Sequence, residues 1–486
     1  MPWLYMSHAK EEAVKTLFLN PPSFEGFDGG AGSRYQARRE IRSFWYPTWL
    51  AQPAAMVPDS KLIDAPADDL TVEDVVQRAK GFDLTIIHTS TPSLRHDVKM
   101  AERLKSEYPH MPIGFVGAHT MVLPEQTLHA SAAIDFVTTG EFDYPLKEIA
   151  EGRPFDEVSG IAYCKHGTIV RTRDVPPIQN LDALPFVIDV YKRDLTIEHY
   201  SIGYLLHPYI SLYTGRGCHS RCTFCLWPQT LGGHVYRVRS PEHVYEEMAL
   251  AKRYFPQVKE FFFDDDTFTD HLPRAIDIAE KLKPLGITWS CNAKANVPYE
   301  ALKTLKDCGL RLLLVGYESG VQHILNTIKK GIRIERAKQF TQDCKKLGIL
   351  IHGTFILGLP GETSETIGQT LRYACELDVY SIQVSLAAPY PGTELYRQAQ
   401  AHGWLIKEDL VSDDGVQEAA LAYPELSHEE MFDAVERFYK RFYFRPRPIW
   451  RILKDMLKDK EVFKRRLREG REFFSFMATR RERTAE

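Results

Sequence analysis

A short loop near the middle of the chain holds three of its eight cysteines. Cys218, Cys222 and Cys225 follow the spacing C-x3-C-x2-C inside the run Gly215 to Cys225, which reads GRGCHSRCTFC. This spacing lets one tight loop direct three thiolates at one centre, and soft thiolates suit an iron–sulfur cluster. A 4Fe–4S cluster has four irons, so three cysteines leave one iron without a protein ligand. The loop therefore predicts a cluster with one iron open to chemistry.

The predicted secondary structure places this loop at the end of a strand. The segment Tyr209 to Thr214 has the pattern of a buried strand, and open α/β folds and barrels bind ligands just past the carboxyl ends of their strands. Phe224, next to the third cysteine, is expected to shield the cluster from water. A structural zinc site or three incidental thiols is the alternative. Zinc takes four ligands, usually as two pairs, and the sequence has no second C-x2-C pair.

Length and composition describe an ordinary globular protein. The chain has 486 residues, enough for about two to four domains, with 44% hydrophobic and 26% charged residues. No apolar run approaches the roughly 18 residues needed to cross a bilayer, and the first residues lack the apolar core of a signal peptide. We therefore expect a cytoplasmic protein with reduced thiols. The net charge of −4 gives no sign of a nucleic-acid partner. Residues 1–13 are expected to be a disordered extension or to follow an upstream start codon.

From residue 14 to about 150, apolar runs alternate with helix-like segments. This alternation predicts a doubly wound, Rossmann-like parallel sheet in an α/β protein. Each run ends in a polar or glycine-containing loop, and such loops meet at the sheet edge that binds ligands. The predicted strands are Thr16–Asn20, Lys61–Asp64, Leu84–His88, Ile113–Val116 and Ile134–Thr138. Residues 151–207 are predicted to be a linker with a hairpin formed by Val158–Cys164 and Thr168–Thr172.

From residue 208 to about 405, strand and helix signals alternate six times. A helix is predicted to start at Ser240 and Pro241, because serine caps a helix and proline suits its first turn. The cysteine loop would then follow the first strand of a second α/β domain. The later strand-like segments are Glu260–Asp264, Ile287–Ala293, Arg311–Gly316, Ile349–Leu357 and Ser381–Ala387.

The cysteine motif, with an aromatic residue before its third cysteine, resembles the signature of the radical S-adenosylmethionine superfamily. The resemblance implies a partial (β/α)6 barrel, similar to part of a TIM barrel, over residues 208–405. It also implies that the open iron binds S-adenosylmethionine. A reductant such as flavodoxin or ferredoxin would supply the electron that cleaves the sulfonium to give a 5′-deoxyadenosyl radical.

Polar clusters at three strand ends gain roles from this resemblance. The carboxylates after the second strand are implied to receive the amino group of S-adenosylmethionine, with Mg²⁺ binding as the alternative. The segment after the fourth strand is implied to bind the ribose hydroxyls, although its serine also suits a helix cap. The fifth strand end resembles the element G-x-I-x-G-x-x-E, whose apolar residues contact adenine. In chain order these residues are Asp264, Asp265, Asp266, Glu318, Ser319, Ile356 and Gly358.

A doubly wound sheet that precedes such a cysteine loop resembles the cobalamin-binding domain of the cobalamin-dependent subclass. One departure is the missing D-x-H-x-x-G motif, whose histidine ligates cobalt in many cobalamin proteins, but the subclass commonly holds cobalamin without it. We therefore predict bound cobalamin, with a vestigial domain that only packs on the barrel as the alternative. His119 is predicted at the cobalamin edge, or else as a surface or capping residue. The residues predicted at this edge are Thr89, Ser90, Gly117, His119, Gly140 and Glu141.

Residues 406–486 are predicted to be helical and are rich in basic and aromatic residues. From Glu436 to Glu486 there are 17 Lys plus Arg against 8 Asp plus Glu, a surplus of +9. Basic residues interleaved with aromatics at helical spacing predict a peripheral membrane contact or a lid over an amphiphilic substrate. The alternatives are a solvated tail that packs its aromatics on the barrel, and RNA binding, for which the sequence shows no recognition fold.

The segment Asn20 to Ala55 combines glycines, arginines and tryptophans and is expected to meet substrate. Overall, the chain resembles the radical S-adenosylmethionine protein family of hopanoid biosynthesis that is associated with the cyclitol ether head group. This resemblance implies ring contraction of a glucosamine-type head group on an amphiphilic hopanoid glycolipid, at the inner face of the membrane. A cobalamin-dependent methyltransferase or a cyclase acting on another lipid or natural product is the alternative. A non-catalytic redox sensor is the alternative from another class.

Overall fold

The computed structural model describes residues 14–22, 41–413, 415–457 and 460–484, without the side chains of residues 461 and 476–484. The predicted N-terminal extension and residues 23–40 of the segment after the first strand lie outside these ranges. None of the helices in these ranges has both the length and the apolar character that crossing a bilayer requires.

The N-terminal domain is built on one seven-stranded sheet. Its strands are β1 (Thr16–Asn20), β2 (Ser60–Asp64), β3 (Leu84–His88), β4 (Ile113–Val116), β5 (Phe136–Thr138), β6 (Ile161–Lys165) and β7 (Thr168–Arg171). Their order is β2-β1-β3-β4-β5-β6-β7, and β1 to β5 are parallel. The order reverses at β1, which is the predicted doubly wound arrangement, and such folds bind ligands at the carboxyl ends of the strands.

The hairpin of β6 and β7 extends this sheet instead of standing in a separate linker. β6 pairs antiparallel with β5, with Phe136 opposite Tyr163. It thereby covers an edge that would otherwise be open to pairing with another chain. The domain boundary predicted at residue 150 falls inside this continuous sheet, because an apolar run predicts a strand but not the strand it will pair with.

Helices cover both faces of the sheet. They are α1 (Thr48–Met56), α2 (Val72–Arg78), α3 (Leu94–Glu107), α4 (Ala118–Val122), α5 (Pro124–Ala130), α6 (Asp143–Ala150) and α7 (Val187–Asp194). Val75 of α2 and Met100 of α3 belong to a core on one face. Leu50 of α1 and Ile149 of α6 lie on the other face, in a core that continues into the second domain. The two domains therefore share one hydrophobic core.

The second domain is an open row of six parallel strands. Its strands are β8 (Tyr209–Leu212), β11 (Glu260–Phe263), β12 (Trp289–Ala293), β13 (Leu310–Glu318), β14 (Leu350–Leu357) and β15 (Ser381–Leu386), and a separate ribbon is formed by β9 (Gly215–Arg216) and β10 (Arg237–Val238). Its helices are α8 (Pro241–Tyr254), α9 (Leu272–Leu282), α10 (Tyr299–Asp307), α11 (Gln322–Thr327), α12 (Ile334–Lys346), α13 (Ser364–Leu377) and α14 (Glu394–His402). The six strands are neighbours in chain order, which confirms the predicted partial barrel. Ser240 caps α8 by accepting from the His243 N–H, as its sequence predicted.

In the described ranges, three helices follow the barrel, and the first of them packs along its edge strand. They are α15 (His428–Tyr443), α16 (Pro446–Met456) and α17 (Lys460–Thr484). The Tyr439 hydroxyl accepts from the Val384 N–H at 2.9 Å, and the Tyr443 hydroxyl accepts from the Ile382 N–H at 3.0 Å. Both acceptor tyrosines are on α15 and both donors are on the edge strand β15. Side chains thus satisfy the backbone groups that a further strand would otherwise bind.

A cluster of buried tyrosines joins the two domains. Tyr46 stacks on Tyr200 with ring centroids 4.1 Å apart and donates a hydrogen bond to the Tyr209 carbonyl at 2.8 Å. Tyr191 donates to the Ser211 carbonyl at 3.0 Å. Both carbonyls belong to β8, so the sheet domain is fixed to the strand that leads into the cysteine loop. Tyr46 therefore serves the domain interface, although its segment was predicted to meet substrate.

Candidate active site

The cysteine loop is set off from the barrel by the ribbon of β9 and β10. Gly217, just after β9, has a φ of +90°. A Cβ on Gly217 would lie 2.3 Å from the carbonyl oxygen of Val235. Only glycine fits such a position, so the chain can turn tightly here. The Cys218 N–H then donates to the Gly233 carbonyl at 3.2 Å, which fixes the first cysteine.

The three cysteines of the loop form no disulfide. Cys218 and Cys222 are buried and Cys225 is partly exposed. Cys218 Sγ lies 3.6 Å from the Thr267 hydroxyl, and Cys222 Sγ lies 3.9 Å from the Lys329 carbonyl oxygen. In the described part of the chain, no group of three or more His, Cys, Asp or Glu side chains converges on one metal-ion position. A 4Fe–4S cluster does not need such convergence, because each cysteine binds a different iron, so the loop fits a cluster better than zinc.

Gln229 holds the shape of the loop, although no motif pointed to it. Its Nε2 donates to the carbonyls of Cys222, Thr223 and Cys225 at 3.3, 3.2 and 2.8 Å. Its Oε1 accepts from the Glu394 N–H, at the start of α14, at 2.8 Å. One side chain thus ties the second and third cysteines to the barrel.

At the end of β13, Glu318 forms a buried ion pair with Lys330. Glu318 has a φ of +61°, and its Oε1 lies 2.6 Å from Lys330 Nζ. Its Oε2 is buried without a hydrogen-bond partner among the described residues. Buried polar atoms are normally paired, and a sugar hydroxyl is a donor that would pair with this oxygen. The geometry therefore suits the ribose contact predicted for Glu318.

Lys330 brings a positive charge to the cysteine loop and was not predicted from the sequence. Burial by itself lowers the pKa of this ammonium group, but the Glu318 carboxylate and the thiols of Cys222 and Cys225 outweigh it and raise the pKa above its ordinary value. The side chain is therefore charged at neutral pH. Burial raises the pKa of the Cys222 thiol, and the Lys330 cation opposes this rise and so favours the thiolate form that binds iron.

The three aspartates after β11 divide between two roles. Asp265 is fully buried, and its carboxylate accepts from the Thr214 N–H, the Thr214 hydroxyl and the Tyr236 hydroxyl, each at 2.6 Å. These bonds hold the strand that leads to the ribbon. Asp265 is therefore a positioning residue, which corrects its predicted contact with the amino group of S-adenosylmethionine. Asp264 and Asp266 stay predicted ligands: Asp264 is buried and its Oδ1 accepts from a side-chain amide of β12 at 3.0 Å, and Asp266 lines a small cavity beside the loop.

The end of β14 points one predicted residue into the barrel. Phe355 packs on Phe438 of α15, outside the barrel. Because side chains alternate along a strand, Ile356 faces the barrel interior, where the predicted adenine contact would lie. Gly358 has a φ of +82°, and a Cβ on it would lie 2.3 Å from Met431 Sδ. Gly358 therefore allows α15 to pack closely behind this turn.

Ser319 and Phe224 have structural surroundings. The Ser319 hydroxyl is buried, lies 3.1 Å from the Thr370 hydroxyl and accepts from the Val321 N–H at 3.2 Å. It thus stabilises the turn before α11, close to the capping role considered as its alternative. Phe224 is partly buried and packs against the barrel core next to Cys225, a position that suits shielding of a cluster.

Four buried side chains at the carboxyl edge of the sheet each leave one polar atom unpaired. They are Nε2 of His88 and His119 and Oγ1 of Thr138 and Thr139, none of which has a partner in the described ranges. Such atoms are rarely left unpaired in a folded protein. Cobalamin carries amides around its corrin ring and a phosphate in its nucleotide tail, which are groups that would pair with them. The edge therefore fits cobalamin, although only His119 of the four was predicted.

Both histidines are neutral at pH 7. Burial lowers the pKa of His88 and of His119 to about 4. Nδ1 of His119 lies 3.0 Å from the Thr91 hydroxyl. A Cβ on Gly117 would lie 2.2 Å from the Thr89 carbonyl oxygen and 3.4 Å from His88 Nε2. Glycine at this position lets the loops after β3 and β4 approach each other.

Three other residues predicted at the cobalamin edge contact groups of the protein itself. The Thr89 hydroxyl donates to Asp97 at 2.6 Å, and the pKa of Asp97 is raised to about 7 by burial. The Ser90 hydroxyl lies 2.8 Å from that of a serine in the same loop. A Cβ on Gly140 would lie 2.9 Å from the Val175 side chain. These contacts shape the loops, and the contact of the three residues with cobalamin stays a prediction.

Glu141 joins the domains instead of lining the edge, a further correction. Its carboxylate accepts from Arg237 at 2.6 and 2.9 Å, and Asp143 accepts from Arg216 at 2.7 and 3.0 Å. All four side chains are buried. The two arginines lie on β10 and β9, so carboxylates of the sheet domain form ion pairs with the ribbon that carries the cysteine loop.

The ligand edge of the sheet faces the cysteine loop. Trp49 stacks on Trp227, just after the loop, with ring centroids 5.5 Å apart and planes 4° apart. At the end of α4, Val122 meets Gly392 so closely that a Cβ on Gly392 would lie 2.6 Å from it. Gly392 belongs to the turn after β15. The two sets of loops therefore border one region between the domains.

Known proteins match both domains. Residues 37–150 match the B12 binding domain, and residues 212–374 match the Radical SAM superfamily. The chain is 31% identical over 454 residues to an uncharacterized methyltransferase, PH0819, of Pyrococcus horikoshii, covering 90% of this chain and 94% of that protein. It is 26% identical over 406 residues to an anaerobic magnesium-protoporphyrin IX monomethyl ester cyclase of Rubrivivax gelatinosus, covering 79% and 70%.

The fold also matches a solved structure of OxsB, a cobalamin-dependent S-adenosylmethionine radical enzyme with aqua-cobalamin and S-adenosylmethionine bound. The TM-score is 0.69 at 17% identity, over 98% of this chain and 72% of that one. Together these matches confirm the predicted fold, the predicted enzyme class and the cofactors, namely a 4Fe–4S cluster, S-adenosylmethionine and cobalamin. The hopanoid substrate predicted from overall resemblance gains no support from them.

Proposed function

We propose that this chain, which belongs to the radical S-adenosylmethionine enzymes with an N-terminal B12-binding domain, transfers a methyl group to its substrate. The observation that supports this most is that the sheet edge, with its unpaired His88 and His119 atoms, faces the cysteine loop across the stack of Trp49 on Trp227. A reaction that needs both cofactors at once requires such a shared region. The likeness to the methyltransferase PH0819 over nearly the whole chain adds to this.

The residues of the chain divide the work in this proposal. When bound, the cluster supplies the electron that cleaves S-adenosylmethionine, and cobalamin carries the methyl group. Cys218, Cys222 and Cys225 hold three irons, and Gln229 keeps their loop in shape. Glu318 orients the ribose through the oxygen that Lys330 leaves unpaired.

Labelled methyl transfer tests the proposal. The reconstituted enzyme is incubated without oxygen with a flavodoxin reducing system, cobalamin, bacterial lipid and metabolite extracts, and S-adenosylmethionine that carries a deuterated methyl group. We expect a product that gains the labelled methyl group, together with S-adenosylhomocysteine and 5′-deoxyadenosine. Cys222→Ala should abolish all three, whereas Cys164→Ala, an exposed cysteine outside the loop, should not. Formation of 5′-deoxyadenosine and a changed product without label would contradict methyl transfer.

A radical rearrangement or cyclisation without methyl transfer is the second candidate. It includes the ring contraction of a hopanoid head group expected from the sequence resemblance. Two observations favour it, namely the likeness to a cyclase and the exposed apolar residues of the C-terminal helices, which suit a protein that handles lipids. With a glucosaminyl hopanoid as substrate, a product of unchanged mass whose head group resists acid hydrolysis would establish this candidate in place of methyl transfer.

A further inference from the structure

Helix α16 turns its apolar side to solvent. Ile449, Trp450, Leu453 and Leu457 are all exposed, with Trp450 at 66% and Leu457 at 81%. At roughly 100° per residue these positions form one continuous stripe along the helix. A surface helix of a globular protein normally buries such a stripe. The arrangement in α16 is therefore inverted.

The polar side of α16 provides its attachment to the barrel. Arg451 donates to the Val379 carbonyl at 2.8 Å, and the Tyr380 hydroxyl donates to Asp455 at 2.8 Å. Pro448 is buried on the same side. Because Arg451 and Asp455 are bonded on the inner side, the helix cannot roll its apolar stripe onto the barrel without breaking these bonds.

Helix α17 repeats the pattern beside it. Phe463, Leu467 and Phe474 are exposed, with Phe474 at 61%, and their spacing of i, i+4 and i+11 places them in one stripe. On the inner side of the helix, Arg466 donates to the Tyr380 hydroxyl at 3.1 Å. Tyr380 thus contacts the inner sides of both helices, so both apolar stripes face away from the same point of the barrel.

Positive charge borders both stripes. Arg447 is 86% exposed, and Lys454, Lys464, Arg468 and Arg471 are also exposed. Apolar side chains that include a tryptophan, bordered by Lys and Arg, bind the interface of an anionic bilayer, where each basic residue adds attraction. A second copy of the chain would bring the same positive charge to this surface and be repelled.

We propose that the exposed stripes of α16 and α17, together called the docking face, bind a bilayer surface that contains anionic lipids. Val379 and Tyr380 precede β15, so the docking face lies at the amino ends of the barrel strands. The cysteine loop follows the carboxyl end of β8, at the opposite end. These two helices are therefore not the lid over the substrate considered from the sequence, but a support that leaves the reactive end clear of the bilayer.

Vesicle sedimentation of the cofactor-loaded enzyme tests the docking face. We expect binding to vesicles of phosphatidylglycerol and phosphatidylcholine, weaker binding at high salt, and little binding to pure phosphatidylcholine. Trp450→Ser/Leu453→Ser should weaken binding to the anionic vesicles by about tenfold or more. The matched control Tyr299→Ser removes an exposed aromatic from α10 and should leave binding unchanged.

Either of two results would overturn the proposal, namely no binding to anionic vesicles, or undiminished binding by the double variant. A dimer seen by analytical ultracentrifugation that dissociates in Trp450→Ser/Leu453→Ser would assign the face to a second copy instead. Formation of 5′-deoxyadenosine shows whether this variant is folded. If it is not, Arg447→Gln/Lys454→Gln changes only exposed charges on the same helix and should lower anionic binding by itself, and unchanged binding by this variant would also reject the proposal.

Discussion

His88 and His119 show at the residue scale how burial prepares a side chain for a ligand. Each imidazole is neutral because burial lowers its pKa to about 4. Each also has one buried nitrogen without a partner among the described residues. A neutral imidazole can donate or accept at that nitrogen, so the pair can meet amide groups of either polarity. The cost of holding them neutral and unpaired should appear in the stability of the protein before cobalamin binds.

Substituting His88 should therefore change how stability depends on pH. Burial lowers the pKa of His88 from 6.5 to about 4, so the unfolded chain binds more protons between these values and the folded chain loses stability as the pH falls. Between pH 7 and pH 5 this residue should account for about 2 kcal/mol of the loss. Urea unfolding of the cobalamin-free protein measures this loss of stability, which should be about 2 kcal/mol smaller in His88→Gln than in the wild type. The exposed control His110→Gln should follow the wild type, and identical pH profiles for all three proteins would contradict the prediction.

Substituting Lys330 should weaken both folding and cofactor binding. Lys330→Met leaves the Glu318 carboxylate buried without its cation, which should cost about 3–5 kcal/mol in urea unfolding. Affinity for S-adenosylmethionine, measured by equilibrium dialysis, should fall with it. Lys329→Met is the matched control, because Lys329 pairs with Glu394 on the surface and such pairs contribute about 1 kcal/mol or less. Equal stability of the two variants would argue against a buried ion pair at Glu318.

Local spacing explains which site residues the sequence could predict. The cysteines share one loop, and Glu318 follows a recognisable strand. Lys330 reaches Glu318 through the turn after α11, where Lys329 has a φ of +55°, and no pattern of residue types marks that turn. His88 is the last residue of a predicted strand, and no pattern in the sequence marks it as a site residue. Its place in the site depends on its closeness to Gly117, which follows the neighbouring strand β4. The sequence does not show which strands will be neighbours.

At the element scale, the ribbon and loop act as one piece held by Gln229. The element was predictable as a loop after a strand, but its bonds to α14 were not, because Gln229 and Glu394 are far apart in the chain. Asp265 likewise belongs to a run of carboxylates that resembles a ligand set, and only the folded chain shows that Thr214 and Tyr236 occupy it. Side chains that build a site and side chains that bind its ligand are of the same types, so composition cannot separate them.

Removing Gln229 should loosen the cluster without unfolding the barrel. Gln229→Leu deletes the donor shared by three loop carbonyls, so we expect fewer irons per chain after reconstitution and faster loss of cluster absorbance in air. Gln398→Leu is the control, since Gln398 bonds the side chain of the same Glu394 but no residue of the loop. An iron content equal to that of the control would mean that the loop keeps its shape without Gln229.

At the scale of the whole molecule, buried ion pairs hold the two domains together at the ribbon that carries the cysteine loop. The alternation of strands and helices predicted both domains and their order. It could not predict that Glu141 would pair with Arg237, because those residues are separated by 96 positions and their acidic and basic types suit many other roles. The same limit applies to the hairpin of β6 and β7, which was predicted as a hairpin but not as part of the sheet.

Breaking this lock should separate the domains. Arg237→Met leaves the buried Glu141 without its main cation and should cost about 3–5 kcal/mol. We expect faster proteolysis near residues 172–186 and a larger radius of gyration in solution scattering. Arg237→Met/Glu141→Gln should recover part of the stability, because no charge is then left buried alone. Arg171→Met is the control, because it removes only an exposed partner of Asp174, and it should behave as the wild type. If Arg237→Met also behaved as the wild type, apolar packing alone would hold the domains together.

The tyrosines of α15 have a consequence for the behaviour of the protein in a crowded cell. A bare strand edge invites the strands of neighbouring molecules to add to it and can start aggregation. Because Tyr439 and Tyr443 occupy the backbone groups of β15 with hydroxyls, an incoming strand finds those groups already bonded. The half-open barrel can thus remain open where substrate enters without pairing with other molecules along β15, as long as α15 remains in place.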